Sequence, residues 1–212
     1  MFTDWNFWLS VITSLIALGA LWLSYTQVKL SNKQHLFDKR VENYLISIGL
    51  IELYKEHEPL FNKKNDDTLV NSLDYIFNLM TNNSYLEEIV NVINNPLSQP
   101  QHKLFLKKLE EIKNIASKIK FLFSNEESKL LSDFVLCYQK FLFSMYQYQI
   151  IFNKMKIFSE KHNATYEDSQ IGIGEPEQRK DLFKSLENLN KAYNLIYKND
   201  VLKKIEKQIK LK

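Results

Sequence analysis

Four histidines, one cysteine and one pair of glycines are the residues whose chemistry and spacing could make this chain a catalyst. His35, His57, His102 and His162 stand far apart. None has the His-Glu-x-x-His spacing that places two imidazoles on one helical face around a metal ion. They read as surface or capping residues. Glu56-His57-Glu58 sets an imidazole between two carboxylates, an acid–base grouping in principle. Just before Pro59 it reads more simply as a solvated helix end. Cys137 has no base beside it and lies on an apolar stripe, which suits a core thiol. Ile171-Gly172-Ile173-Gly174 offers two glycines of a phosphate loop. It lacks the lysine or third glycine such a loop needs, and no strand precedes it, so a turn is expected. The sequence gives no catalytic residue, no metal ligand set and no cofactor motif, and a non-enzymatic role is expected.

Aromatic residues form a second grouping: Tyr138, Phe141, Phe143, Tyr146, Tyr148 and Phe152, with Lys140, Lys154 and Lys156 among them. Aromatic rings beside lysines can stack on single-stranded RNA. An aromatic stripe at helical spacing more often fills a bundle core, and one that covers more than one face also suits a subunit interface. The formal charge of +3 is too small to draw nucleic acid through bulk charge.

The element that must position everything else is the first helix. From Trp5 to Tyr25 no residue is charged. About 19 residues of such a run cross the hydrocarbon core of a bilayer. Trp5, Trp8 and Trp22 lie toward its ends, where indoles favour the wet-apolar boundary. Lys29, Lys33, Lys39 and Arg40 follow at once, offset by Asp38. The start, Met1-Phe2-Thr3-Asp4, lacks the basic residues of a secretory signal, and the apolar run exceeds a signal's short core. A membrane span is expected, with the basic side in the cytoplasm, the N-terminus outside and roughly 185 residues inside.

Within the span a stripe of small residues runs along one face. Ser10, Thr13, Ala17, Ala20 and Ser24 alternate steps of three and four, and Gln27, Ser31, Gln34 and Asp38 continue it beyond the span. In lipid, where packing rather than water exclusion drives association, small residues let helices approach closely. Such a stripe suits a seam between identical helices or the inner wall of a ring of them.

Four glycines and four prolines in 212 residues leave few breaks, so long helices are expected. Apolar positions at Leu30, Phe37, Val41, Tyr44, Leu45, Ile48, Ile51 and Tyr54 carry the first helix onward to Glu58, where Pro59 should stop it. About 50 residues make a helix of roughly 75 Å. Further helices are expected at 67–81, 84–94, 102–123, 125–162, 177–197 and 201–211. Ser84 with Glu87, and Ser124 with Glu127, read as capping boxes. Residues 163–176 read as the one sizeable irregular segment. A single cysteine excludes an internal disulfide framework. The whole reads as all-α: residues 1–27 an outside tail and transmembrane helix, 28–58 a juxtamembrane stalk, and 59–212 a cytoplasmic bundle of five or six helices.

A short outer tail, a span, the juxtamembrane run Lys29–Tyr44 and a compact helical domain make a layout seen in many small bacterial membrane proteins. It resembles in particular the single-span accessory proteins that accompany RNA-guided RNA nucleases in CRISPR systems. That resemblance implies a bacterial inner-membrane protein that self-assembles into a pore and strengthens defence against phage. Some members carry an Arg-x4-6-His ribonuclease motif on a HEPN-type bundle. Here Arg40 and Arg179 are the only arginines, and neither has a histidine at the required distance. A motif-lacking, HEPN-like bundle is what the resemblance leaves. Membrane lipid, further copies of the chain and a cytoplasmic protein are the expected partners. The alternative is a tethered scaffold that binds a cytoplasmic partner and transports nothing.

Overall fold

A computed structural model describes residues 2–61, 66–123 and 125–209. Among them there is no β-strand. Helix α1 is unbroken from Phe2 to Phe61. It is followed by α2 (Asp66–Asn71), α3 (Leu73–Met80), a 3-10 turn (Glu87–Ile93), α4 (Gln101–Leu122), α5 (Glu126–His162), α6 (Tyr166–Ile173), α7 (Glu175–Lys198) and α8 (Val201–Ile209). The sequence expectation of an all-helical chain led by one long helix holds.

The 37-residue α5 is the axis of the bundle, with α7 packed along one side and α4 along another. Its amino end is set by Asn125, whose side chain accepts from the Ser128 amide. This is the cap that opens a helix when an oxygen-bearing side chain meets an otherwise unpaired N–H. Ser124, expected to provide that cap, lies outside the described residues. α5 ends on Asn163, held at φ +49, a left-handed stop that asparagine tolerates. Contacts along α5 fix the directions of its neighbours. α1 runs beside it in the same sense: Arg40 meets Phe123, Tyr54 meets Phe134, and Phe61 meets Phe141. α4 and α7 run opposite, through Ser132 with Ala116 and Phe134 with Tyr193.

The core is aromatic. Tyr54, Phe77, Phe105, Phe134, Tyr138, Phe141, Tyr146 and Tyr148 are all fully buried. The rings that could have stacked on RNA are therefore largely internal, and α4 and α7 cover both faces of the stripe. Only Phe143 and Phe152 keep partial exposure.

The structure moves several expected boundaries. α1 does not stop at Glu58: Pro59 lies inside its last turn. Phe61 stacks on Tyr54 at 5.6 Å and meets Phe141 edge-on at 5.7 Å, and this packing holds a turn that proline alone would release. The helix expected over 67–81 is divided at Ser72 into α2 and α3. Ser84 does not cap an α-helix. Asn83 accepts from the Tyr85 and Leu86 amides instead, and the segment that follows is the tighter 3-10 form. Residues 163–176 are not irregular, because they contain α6. Thr165 accepts from the Asp168 amide at its start, and Gly174, at φ +78, ends it.

Candidate assembly surface

No side chain between Asp4 and Leu36 is buried. α1 carries an apolar window of mean hydropathy 1.8 that is 0% covered by the rest of the chain. It is the one helix among the described residues long and apolar enough to cross a membrane. Trp5, Trp8 and Trp22 are 70%, 61% and 67% exposed, far more than large aromatic rings on a water-soluble surface normally are. Two hydroxyls of this apolar stretch are satisfied locally. Thr13 donates to the Leu9 carbonyl at 2.7 Å, and Ser14 to the Ser10 carbonyl at 2.8 Å. Such back-bonding lets a polar side chain sit in an apolar medium without a water partner.

The stripe of Ser10, Thr13, Ala17, Ala20, Ser24, Gln27, Ser31 and Gln34 is exposed along its whole length. The same three-and-four step runs on through Asp38, Val41, Leu45, Ile48 and Glu52, into the part of α1 that enters the bundle. There the bundle holds α1 by Asn43, Tyr44, Ser47, Leu50, Ile51 and Tyr54, all buried. Asp38, Leu45 and Glu52, on the opposite side, stay exposed, and Leu45 is 59% so. The fold thus covers one face of α1 and leaves the stripe exposed from Ser10 to Asp38, while Val41 and Ile48, further along the same line, are half-buried against the bundle. Apolar side chains border the stripe on both sides: Leu9, Ile16, Leu23 and Leu30 at intervals of seven on one, Leu21 and Val28 on the other. A seven-residue repeat drifts about 20° per heptad on a straight helix, so a long contact along it requires a left-handed supercoil.

Of the basic residues expected near the membrane boundary, Lys29 and Lys33 stand free on the exposed stalk. Lys39 pairs with Glu42 at 2.9 Å, and this bond holds the Glu42 carboxyl below its ordinary range. Arg40 points into the bundle. Its Nε donates to the Leu122 carbonyl at 2.9 Å.

The remaining candidates are dispersed. His102 Nδ1 is 2.7 Å from the Tyr146 hydroxyl, and that hydroxyl accepts from the Leu97 amide at 2.8 Å. His162 packs against Phe158. Among the described residues no group of histidine, cysteine or acidic side chains is arranged to hold a metal ion. Burial raises the Cys137 thiol, and Asp133 adds to the shift while Lys140 opposes it. The reactive thiolate is thereby disfavoured. Gly172 faces the Phe158 ring, with a hypothetical Cβ 3.3 Å from it, and Gly174 ends α6, so the glycine pair serves local packing.

One polar cluster had no signal in the sequence. Glu175, 1% exposed, accepts from the Tyr148 hydroxyl, from Arg179 Nε at 2.8 Å and from Gln170 at 3.4 Å. Burial, then the bond to Glu175, pushes the Tyr148 phenol well above its usual value. The cluster pins three helices at the α6–α7 corner. Only the Glu175/Arg179 spacing of four along one helix could have hinted at it.

The fold and this surface define an all-helical protein with one exposed, apolar, N-terminal helix. No protein-family model, curated protein or solved structure matches the chain.

Proposed function

We propose that this chain is a single-pass protein of the bacterial inner membrane that self-assembles through α1, and that the assembly encloses a pore lined by the small and polar stripe. The observation that carries this reading is the open face of α1. The bundle grips the helix from the other side, which leaves the stripe and its two apolar borders exposed over the amino-terminal half of α1, where neighbouring copies would meet border to border. The two apolar borders differ from each other, so each copy would present one border to its left and the other to its right. A head-to-tail contact of that kind closes into a ring when the rotation permits. Gln27, Ser31 and Gln34 would continue a wet lumen beyond the bilayer. In the antiphage setting the resemblance suggests, depolarisation of the membrane would be the output and the bundle its gate or sensor.

The mass and shape of the detergent-purified protein test this first. A closed ring of several copies supports the reading, and a monomer or simple dimer removes it. In planar bilayers the wild-type chain should conduct. S10L, A17L and S24L, which put bulk into the lumen, should cut conductance or block assembly. Wild-type behaviour from all three would sink the pore.

A second reading is a tethered scaffold for a cytoplasmic protein. It draws on the far end of the bundle, where Ile157, Tyr166 and Ile171 are 63%, 53% and 77% exposed. A scaffold should keep its activity when the span is replaced by an unrelated apolar helix, whereas a pore should lose it.

A further inference from the structure

Arg40 ties two helix ends to one turn of α1. Its Nε donates to the carbonyl of Leu122, the last residue of α4, at 2.9 Å, and its Nη1 reaches the carbonyl of Gln208, next to the last residue of α8, at 3.5 Å. The guanidinium also stands 5.7 Å from the centroid of the Phe123 ring. Carbonyls in a helix's last turn lack intrahelical partners and sit at the negative end of its dipole. A planar cation with forked donors can serve two of them at once, whereas an ammonium is a point charge. One turn further on, the Tyr44 hydroxyl donates to Glu206 at 2.8 Å. Lys204 of α8 in turn bonds Glu127 in the first turn of α5 at 2.9 Å.

We infer that Arg40 is a coupling joint: it makes the α4–α5 corner and α8 follow the position of the exposed amino-terminal half of α1. Among the described residues it is the first α1 side chain to hydrogen-bond another helix. The stretch between Tyr25 and Arg40 is continuous α-helix with no buried side chain, so it acts as a lever. Fifteen residues give an arm of about 22 Å, and a 10° tilt of the span would carry Arg40 sideways by about 4 Å. That exceeds the range of a hydrogen bond, so either the corner and α8 travel with α1 or the grip breaks. Arg40 is thus a positioning residue.

The lever's motion rests on the proposed membrane anchoring, while the grip itself does not. The test uses the full chain carrying C137S, with spin labels at N32C on the stalk and K203C on α8. Flotation with vesicles reports insertion separately, and the same distance read in detergent tests the grip alone. In wild type the distance should be narrow and equal in thin and thick bilayers. With R40M, which keeps the stem and loses every donor, it should broaden or shift by several ångströms. If circular dichroism shows R40M unfolded, R40K replaces it with the same expectation. A distance that varies with bilayer thickness in wild type, or that stays narrow in the variant, overturns the joint.

Discussion

The hydroxyl of Tyr138 donates to the carbonyl of Met80 at 2.6 Å, with both residues at 0% exposure. Met80 is the last residue of α3, so its carbonyl has no partner within the helix. One phenol in the middle of α5 therefore completes the end of a helix 58 residues earlier in the chain. It fixes where α3 stops against the bundle axis.

Removing that hydroxyl leaves a buried acceptor with nothing to bond. Y138F should cost about 1–3 kcal/mol of stability, the usual penalty for an orphaned buried polar group. Urea unfolding monitored by circular dichroism would measure it. A loss below ~0.5 kcal/mol would mean that water or a shifted side chain replaces the phenol.

Glu175 holds the α6–α7 corner through three donors, and its side chain is 2% exposed. E175A should destabilise by about 1–3 kcal/mol, because it removes the acceptor of the buried Tyr148 hydroxyl. Hydrogen exchange would localise the effect to α6 and the first turns of α7. A uniform loss of protection would contradict the local role.

Burial raises the phenols of Tyr44, Tyr54, Tyr138, Tyr148 and Tyr193 above the ordinary value of 10.0. Tyr85 is pushed up to about 12, chiefly by burial, with Glu111 and Glu42 adding to it. In each case the folded state favours the protonated form. The resulting stability is fully present below pH 10 and is lost as pH climbs through the raised values. In an absorbance titration near 295 nm these six phenols should ionise only with a cooperative loss of helicity, above about pH 11. Smooth ionisation of the six near pH 10, with helicity retained, would refute this.

Two glycines should respond in opposite directions. Gly174 sits at φ +78, where a Cβ is strained, so G174A should destabilise by about 1–2 kcal/mol. Gly49 lies inside α1, and a Cβ there would meet only the Asn83 amide nitrogen at an ordinary 3.6 Å. G49A should stabilise by about 0.5–1 kcal/mol by removing backbone freedom from the unfolded chain. Thermal melts of the two variants would separate them, and shifts of the same sign would count against this reading of the α6–α7 corner.

The sequence by itself determined what depends on neighbouring residues: the all-helical class, the length and apolarity of α1, the span of α5 and the absence of metal-type spacing. Helical period, missing breakers and a charge-free run are local properties, and each survives whatever the rest of the chain does. Tertiary structure alone decided between neighbouring apolar positions that fit the same helical repeat. In α4 the leucines at 104 and 106 and the phenylalanine at 105 all fit a helical repeat. Phe105 is the one buried, because Tyr146 and Phe77 lie 4.5 and 6.0 Å from its ring. Pro59 stays helical because Phe61 finds Tyr54 and Phe141. Asn83 rather than Ser84 caps its turn, and α6 forms where glycines and polar residues suggested a loop. The grip of Arg40 on Leu122 joins residues 82 apart, and the open face of α1 exists only because the bundle packs on the other one. Pairings of that kind are set by which surfaces can be buried together, a property of the folded whole that no spacing along the chain encodes.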